Sequence, residues 1–186
     1  MTAFGAIACA THTAPPAAAP ITSQQPSGDA NTVGDIPDNQ AFVAYTPADG
    51  SFTVTVPEGW ARTDIAGGAA FGDKLNSITV TSQPALTAPT VDSVNAKELP
   101  GIAAKATNFR RGDVVMVTRK AGRAVLATYG ADSPPSPVTG KVIPQSVERY
   151  EFFRPGEQVT ITLSGPTAAD NVDPWRVVTD SFAWKP

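Results

Sequence analysis

Cysteine and histidine are nearly absent from this chain. Cys9 and His12 are the only examples, and both lie close to the N-terminus. The sequence therefore excludes an intramolecular disulfide, and we expect neither a zinc site of cysteine and histidine nor a Ser-His-Asp or Cys-His nucleophile in the folded part. The carboxylates are scattered, and the sequence selects no pair of them for acid–base catalysis. We expect no enzymatic activity, with a carboxylate-dependent hydrolase as the less favoured alternative.

An excess of positive charge is also missing. The net charge is −3 and the sequence pI is about 5.1, whereas binding to a phosphate backbone normally needs a basic surface. We therefore expect no nucleic-acid partner. The acidic cluster of Asp170, Asp173 and Asp180 matches the spacing of no calcium loop. We predict no metal site and no cofactor.

The composition that is present favours one sheet-rich domain. A chain of 186 residues with 41% hydrophobic content is long enough for a single core and a tail. Its 15 glycines and 18 prolines favour turns and short strands over a helical bundle. We expect a monomer.

Small and apolar residues precede the single cysteine. Ala6, Ile7, Ala8 and Cys9 resemble the lipobox of bacterial lipoprotein signal peptides. The resemblance implies that the Cys9 thiol receives diacylglycerol and that the signal is cleaved before it. Two or three acyl chains, such as palmitate, anchor a protein firmly, because each buried methylene contributes about 0.8 kcal/mol.

The match departs from the usual lipobox in two respects. Ala6 stands where leucine is commonest, and the few residues before Cys9 include neither Lys nor Arg. Two interpretations stay open: the true start lies upstream of Met1, which we favour, or Cys9 is a free thiol in a disordered tail. The first predicts lipid anchoring on the extracytoplasmic face of the cell membrane, with a shed or secreted form as an alternative.

Residues 10–40 have the composition of a flexible spacer. Ala, Pro, Thr, Ser, Gln and Gly make up most of this segment. Such a segment buries too little apolar surface to offset the entropy cost of ordering. We assign residues 1–40 to the remnant of the signal, the lipobox and a disordered tether, and residues 41–186 to the folded domain.

The folded domain contains repeated segments with the two-residue alternation of β-strands. Between Ser51 and Val56, for example, apolar and hydroxyl side chains alternate, which is typical of a strand with one buried face. Two pairs of neighbouring strands read as hairpins, closed by Lys120 to Gly122 and by Arg154 to Glu157. The proline-rich run 133–144 is expected to be a loop or an edge connection. Strands are predicted at 42–45, 51–56, 76–82, 113–119, 123–129, 147–153 and 158–164.

Two segments have helical spacing. Residues 90–106 follow a helical stripe capped by Thr90, which Pro100 and Gly101 interrupt, so we expect a broken helix.

At the C-terminus, Asp173 is predicted to cap a helix that has Pro174 in its first position. Trp175, Val178 and Phe182 then share one apolar stripe, which should pack on the sheet.

This order of elements resembles a known fold family. A two-strand start with a PEGW turn at 57–60, the RYEFF segment at 149–153, Thr162 to Ser164, and the closing segment Asp170 to Phe182 resemble the PsbP-like α/β/α sandwich. They are similar in particular to its lipid-anchored members in actinobacterial cell envelopes. The resemblance implies an α+β fold in which helices flank an antiparallel β-sheet. It implies no activity, because the fold has no common function.

The basic residues of the domain concentrate around one predicted hairpin. As a functional hypothesis, they form a docking patch for an acidic protein or for anionic envelope lipid. The alternative is a solvated hairpin whose charges discourage edge pairing. We expect a lipid-anchored envelope module that docks a protein or an envelope component, and a carrier of a small hydrophobic ligand between helix and sheet is the alternative. The patch consists of Arg110, Arg111, Arg119, Lys120 and Arg123.

Overall fold

In the part of the chain that the structure describes, five strands precede a short helical segment, and four further strands precede the C-terminal helix and a short last strand. The structure is a computed structural model, and it describes residues 1–2, 32–136 and 138–186. Cys9, the lipobox and most of the predicted tether lie outside these residues. The strands are β1 (Phe42–Tyr45), β2 (Phe52–Pro57), β3 (Ala61–Ile65), β4 (Gly68–Asp73), β5 (Asn76–Ala85), β6 (Arg110–Arg119), β7 (Gly122–Asp132), β8 (Pro144–Arg154), β9 (Gly156–Pro166) and β10 (Ala183–Trp184). The helices are α1 (Val91–Ser93), a π-helical segment (Val94–Glu98), α2 (Leu99–Ala103) and α3 (Val172–Ser181).

Seven of these strands form the main antiparallel sheet. Their order is β3-β4-β5-β9-β8-β7-β6, so β6 and β3 are the two edges. A second, three-stranded sheet has the order β1-β2-β10. The α+β prediction is confirmed, and the two predicted hairpins are the β6–β7 and β8–β9 pairs.

The β3–β4 hairpin is the part of the sheet that the sequence does not predict. β4 consists mostly of Gly and Ala, and β3 is exposed along its whole length, so neither sequence shows a clear alternation of large apolar and polar side chains. Phe71 is buried and contacts the core of the domain. Pairing with β5 therefore positions this hairpin, and its own sequence contributes little.

The two faces of the main sheet carry different cores. On one face, Phe152 and Ile161 pack with Phe52 of the second sheet and with Trp175 and Phe182 from the C-terminal segment. On the other face, a smaller cluster joins the 91–103 helical segment to the sheet. That cluster comprises Val94, Leu99, Val125 and Ala127, with Ile102, Phe109, Val114 and Tyr129 packed against them.

The broken helix at 91–103 follows the prediction at its start. Thr90 Oγ1 accepts from the Ser93 backbone N–H, and Ser93 Oγ accepts from the Thr90 N–H, which forms a capping box. The irregular part lies before Pro100, in the π-helical segment, and α2 continues through Pro100 and Gly101.

The C-terminal helix α3 begins two residues earlier than predicted. Asn171 is its N-cap residue, and Asp173 lies in the first turn, so the prediction that Asp173 caps the helix was wrong. The apolar stripe is confirmed, since Trp175 and Val178 are buried and Phe182, just beyond the helix end, is 1% exposed.

Packed structure also extends N-terminal to residue 41. The Ile36 side chain is 5% exposed and belongs to the main core. The Ile36 N–H donates to Asn171 Oδ1 at 2.8 Å, and the Gly34 carbonyl accepts from Asn76 and Asn171. Residues 34–36 therefore contact the start of α3, although the sequence assigns them to the tether.

Candidate docking surface

The five predicted patch residues divide into two groups at opposite ends of β6. Arg110 and Arg111 begin the strand, whereas Arg119, Lys120 and Arg123 surround its hairpin turn. Arg119 is nine positions along the strand from Arg110, which is about 30 Å at the usual rise of a strand. The structure therefore does not bring the five cations together in one patch.

Arg119 is a structural residue. Its side chain is 16% exposed, and it donates to Tyr150 Oη at 2.7 Å and to Thr179 Oγ1 at 3.1 Å. Its guanidinium carbon lies 4.9 Å from the centre of the Tyr150 ring. Burial and the neighbouring Glu148 carboxylate raise the pKa of Tyr150 to about 12, so this hydroxyl stays neutral at pH 7. Arg119 thus ties the edge strand to β8 and α3.

Arg110 and Arg111 point to opposite faces of the sheet. Arg110 is opposite Gly130 in the β6–β7 pair, and its guanidinium lies over that glycine. Arg110 Nη1 lies 3.8 Å from Asp132 Oδ1. Arg111 donates to the Asn95 side chain of the π-helical segment. Both guanidiniums therefore have partners within the domain.

Lys120 and Arg123 are the two exposed cations at the hairpin turn. Neither forms an ion pair with any other residue that the structure describes. Both side chains are exposed. Within the predicted patch, these two residues are the ones whose charged groups have neither a hydrogen bond nor an ion pair with another described residue.

Between its charged ends, β6 exposes apolar side chains. Val115 is 44% exposed and Met116 is 38% exposed, and successive residues of a strand point to opposite faces. At the other end of the strand, a bulge shifts the register between Arg111 and Val114. The regular edge therefore runs from Val114 to the basic hairpin turn.

A groove of about 470 Å³ lies between α3 and the main sheet. Arg110 and Glu148 line it from the sheet, and Val172 and Trp175 line it from the helix. Trp175 Nε1 is buried and has no hydrogen-bond partner among the described residues. The groove is open to solvent and mixes charged and apolar side chains, so it differs from the deep apolar cavity of a lipid carrier.

The structure brings together two carboxylates that the sequence does not pair. Arg149 lies between them, with Nη2 at 2.9 Å from Glu98 Oε2 and Nε at 3.0 Å from Glu151 Oε1. Burial, followed by the hydrogen bond to Glu98, raises the pKa of Glu151 to about 8. Burial opposes ionisation of Glu98 as well, but hydrogen bonds from Glu151 and Arg149 lower its pKa. The pair therefore holds one proton at pH 7, as a neutral Glu151 beside an ionised Glu98.

This pair is packed inside the domain. Glu151 is 1% exposed, and Gln158 Nε2 donates to its second oxygen at 3.3 Å. Glu98 comes from the π-helical segment and Glu151 from β8, which are far apart in the sequence. No spacing rule could therefore predict their contact. The one sequence signal is that Glu151 stands at a position that the side-chain alternation of β8 predicts to be buried.

Residues 1–2, 32–136 and 138–186 contain neither a cluster of metal-ligating side chains nor a helix that could span a membrane. No group of three or more histidines, cysteines or carboxylates in these segments is arranged to hold a metal ion. None of the helices described there has the length and apolar character needed to cross a bilayer.

Comparison with known proteins identifies the fold. No protein-family model matches the chain, and no curated protein matches its sequence. The solution structure of cyanobacterial PsbP (CyanoP) from Synechocystis sp. PCC 6803 superposes with a TM-score of 0.51 at 13% identity, covering 82% of this chain and 99% of that one. The fold is PsbP-like.

A second solved structure is similar to this PsbP-like domain. A crystal structure of a protein from Bacteroides thetaiotaomicron superposes with a TM-score of 0.52 at 12% identity, covering 77% of this chain. The match spans about half of the Bacteroides chain, at 48%. At these identities the likeness concerns the fold alone.

Proposed function

We propose that this PsbP-like domain is a non-enzymatic docking module of a bacterial cell envelope, held at the membrane through lipidated Cys9. The hairpin end of β6 is the docking surface. The observation that carries this proposal is the combination of exposed Lys120 and Arg123 at the β6–β7 turn with the exposed apolar centre of β6. An acidic protein partner would gain charge attraction at the hairpin turn and apolar burial along the strand.

The groove beside α3 supports a second candidate function, that of a ligand carrier. Its volume of about 470 Å³ is in the range of small-molecule sites. The Arg110 guanidinium on its wall favours a ligand with an anionic group over a purely hydrophobic one. We rank this function second, because Arg110 also lies beside Asp132.

The carboxylates provide weaker support for a hydrolase. Glu98 and Glu151 are the pair with the clearest pKa separation, yet Glu151 is covered by Gln158 and Arg149. A general acid or base must reach the atom to which it transfers a proton. We infer that this pair contributes to folding and not to catalysis.

Retention on envelope membranes tests the docking function. The purified domain would be incubated with envelope fractions of the source organism, and the bound fraction measured at low and high salt. We expect the double change Lys120→Glu and Arg123→Glu to reduce binding several-fold at low salt, with a smaller effect at high salt because screening shortens the range of charge attraction. Arg119 is left unchanged, since it holds α3 and β8.

A matched control reverses two exposed cations elsewhere. Lys97→Glu with Lys141→Glu gives the same net charge at exposed positions outside the β6–β7 hairpin, and it should leave retention unchanged. Protease treatment of the envelope should remove the binding sites if the partner is a protein. Equal retention of wild type and the hairpin double variant would contradict the docking function.

Metabolic labelling with a palmitate analogue tests the anchor. The protein would be expressed from its natural genomic context, in wild-type form and as Cys9→Ala. We expect label and membrane attachment in the wild type and neither in the variant, because the thiol is the acceptor of the lipid. Equal labelling of the two proteins would contradict lipidation at Cys9.

A further inference from the structure

We propose that the outer edge of β6 binds an extended acidic segment of the partner protein by β-strand addition. This inference rests on the proposed docking function and specifies how the partner is held. In this mode, backbone hydrogen bonds supply the pairing, and side chains along the strand supply the specificity.

The backbone of β6 has one side without a strand partner. β6 is the last strand of the main sheet, and among the described residues it pairs only with β7. In an antiparallel ladder every second residue directs its N–H and C=O away from the neighbouring strand. The regular part of the strand, Val114 to Arg119, therefore presents a row of donors and acceptors at the sheet edge.

The opposite edge of the sheet lacks the features that favour an added strand. β3 has five residues, and Arg62 and Asp64 on it form an ion pair with each other at 2.7 Å. Its outward charges are therefore balanced within the strand. β6 is longer and exposes Val115 and Met116. It ends at a turn where Lys120, in the turn, and Arg123, at the start of β7, are exposed and have no ion-pair partner in the described part of the chain.

The charges along β6 identify the occupant. A second copy of this chain, paired antiparallel about Val115 and Met116, would place Arg111 opposite Lys120, and like charges directly opposite each other are destabilising. A partner strand with acidic residues beside the hairpin turn would instead meet Lys120 and Arg123. Asp113, near the bulge, disfavours acidic residues at the other end. The occupant is thus an extended segment of a different protein, apolar in its centre and acidic at one end.

The test uses a synthetic peptide as the partner. It has ten residues, the length of β6, with alternating valine and threonine followed by glutamates at one end. A second peptide has the same sequence but carries N-methyl groups on alternate central amides, and a third has lysines in place of the glutamates. Binding to the full chain would be measured by fluorescence anisotropy, and amide hydrogen exchange of β6 would be followed by NMR.

We expect the acidic peptide to bind and to slow exchange of alternate β6 amides. N-methylation should weaken binding about tenfold or more, because it removes the backbone donors that pair with β6. The lysine peptide should bind still more weakly. Lys120→Gln with Arg123→Gln should weaken binding of the acidic peptide, whereas Lys97→Gln with Lys141→Gln should not.

Two outcomes would overturn strand addition. If the acidic and N-methylated peptides bind equally and β6 amides gain no protection, the hairpin attracts acidic groups by charge alone, and the docking function survives without strand pairing. If no peptide binds while the envelope assay still depends on Lys120 and Arg123, the partner is held in another way. A separate result would contradict docking itself, namely that retention in the envelope assay does not depend on Lys120 and Arg123.

Discussion

Glu151 shows how one side chain can make stability depend on pH. A single guanidinium, Arg149, lies between two carboxylates and can balance only one of them. Glu98 is the more exposed of the two and retains the charge, whereas buried Glu151 retains the proton. The neutral acid is therefore the form that the native state selects.

The unfolding free energy should consequently fall as the pH rises. The pKa of Glu151 is raised from 4.5 to about 8 on folding, so between these values the native state binds a proton that the unfolded state lacks. The stabilisation is complete below pH 4.5 and is lost as the pH rises toward 8, by up to about 1.4 kcal/mol per pH unit. The measurement is urea unfolding of wild type and Glu151→Gln across this range.

Glu151→Gln keeps a neutral side chain of the same shape, so its stability should vary less with pH over this interval. Glu58→Gln, at an exposed position, is the control and should follow the wild type. Parallel curves for wild type and Glu151→Gln would show that Glu151 is ionised in the native state and that its proton has been wrongly assigned.

Helix α3 illustrates which features of an element can be predicted from sequence. The spacing of Trp175, Val178 and Phe182 is local, and it predicts the buried stripe correctly. The N-cap is different, because Asn171 uses its side chain to bind residues 34–36 and Asn76. Those contacts are made across the fold, so local capping preferences select Asp173 instead.

The packing role of α3 predicts a large cost for truncating its tryptophan. Trp175 is 6% exposed in the main core, so Trp175→Ala should lower the unfolding free energy by about 3–5 kcal/mol. Trp175→Phe keeps an aromatic ring and removes an indole N–H that has no partner among the described residues, so its cost should be much smaller. Denaturant unfolding of both variants measures this difference.

Ligand binding separates this structural role from a functional one. If Trp175 acted mainly in the groove beside α3, Trp175→Ala would stay stable and would lose affinity for a small anionic ligand. A stable alanine variant of that kind would contradict the assignment of Trp175 to the core.

At the scale of the whole molecule, the sequence predicts the main sheet better than the surface. Hairpin turns and alternation are local signals, and they place both predicted hairpins correctly. The five cations are close together in the sequence, but they do not form one patch, because the two ends of β6 lie about 30 Å apart. Arg119 could not be recognised as structural, since its partners Tyr150 and Thr179 come from other elements.

The N-terminal limit of the folded unit gives the last prediction. Ile36 is buried, and the Asp35 carboxylate accepts from the Asp170 N–H at 2.9 Å. Removing residues 1–40 would expose the site of Ile36 and leave the buried side chain of Asn171 without two of its partners. Part of this loss is offset because the removed residues no longer lose conformational entropy on folding. We expect a chain beginning at residue 41 to lose about 1–3 kcal/mol of unfolding free energy relative to one beginning at residue 32.

Chemical unfolding of three chains measures this effect: the full length, the chain from residue 32 and the chain from residue 41. Ile36→Ala in the full-length chain is the matched control, since it removes the apolar contact and keeps the backbone hydrogen bonds. Its cost should lie between those of the two shortened chains. Equal stability of the chains from 32 and 41 would place the boundary at residue 41 and make residues 34–36 part of the tether. A lower stability of the shorter chain would instead mean that the tether ends before the contact between Gly34 and Asn171 at the start of α3.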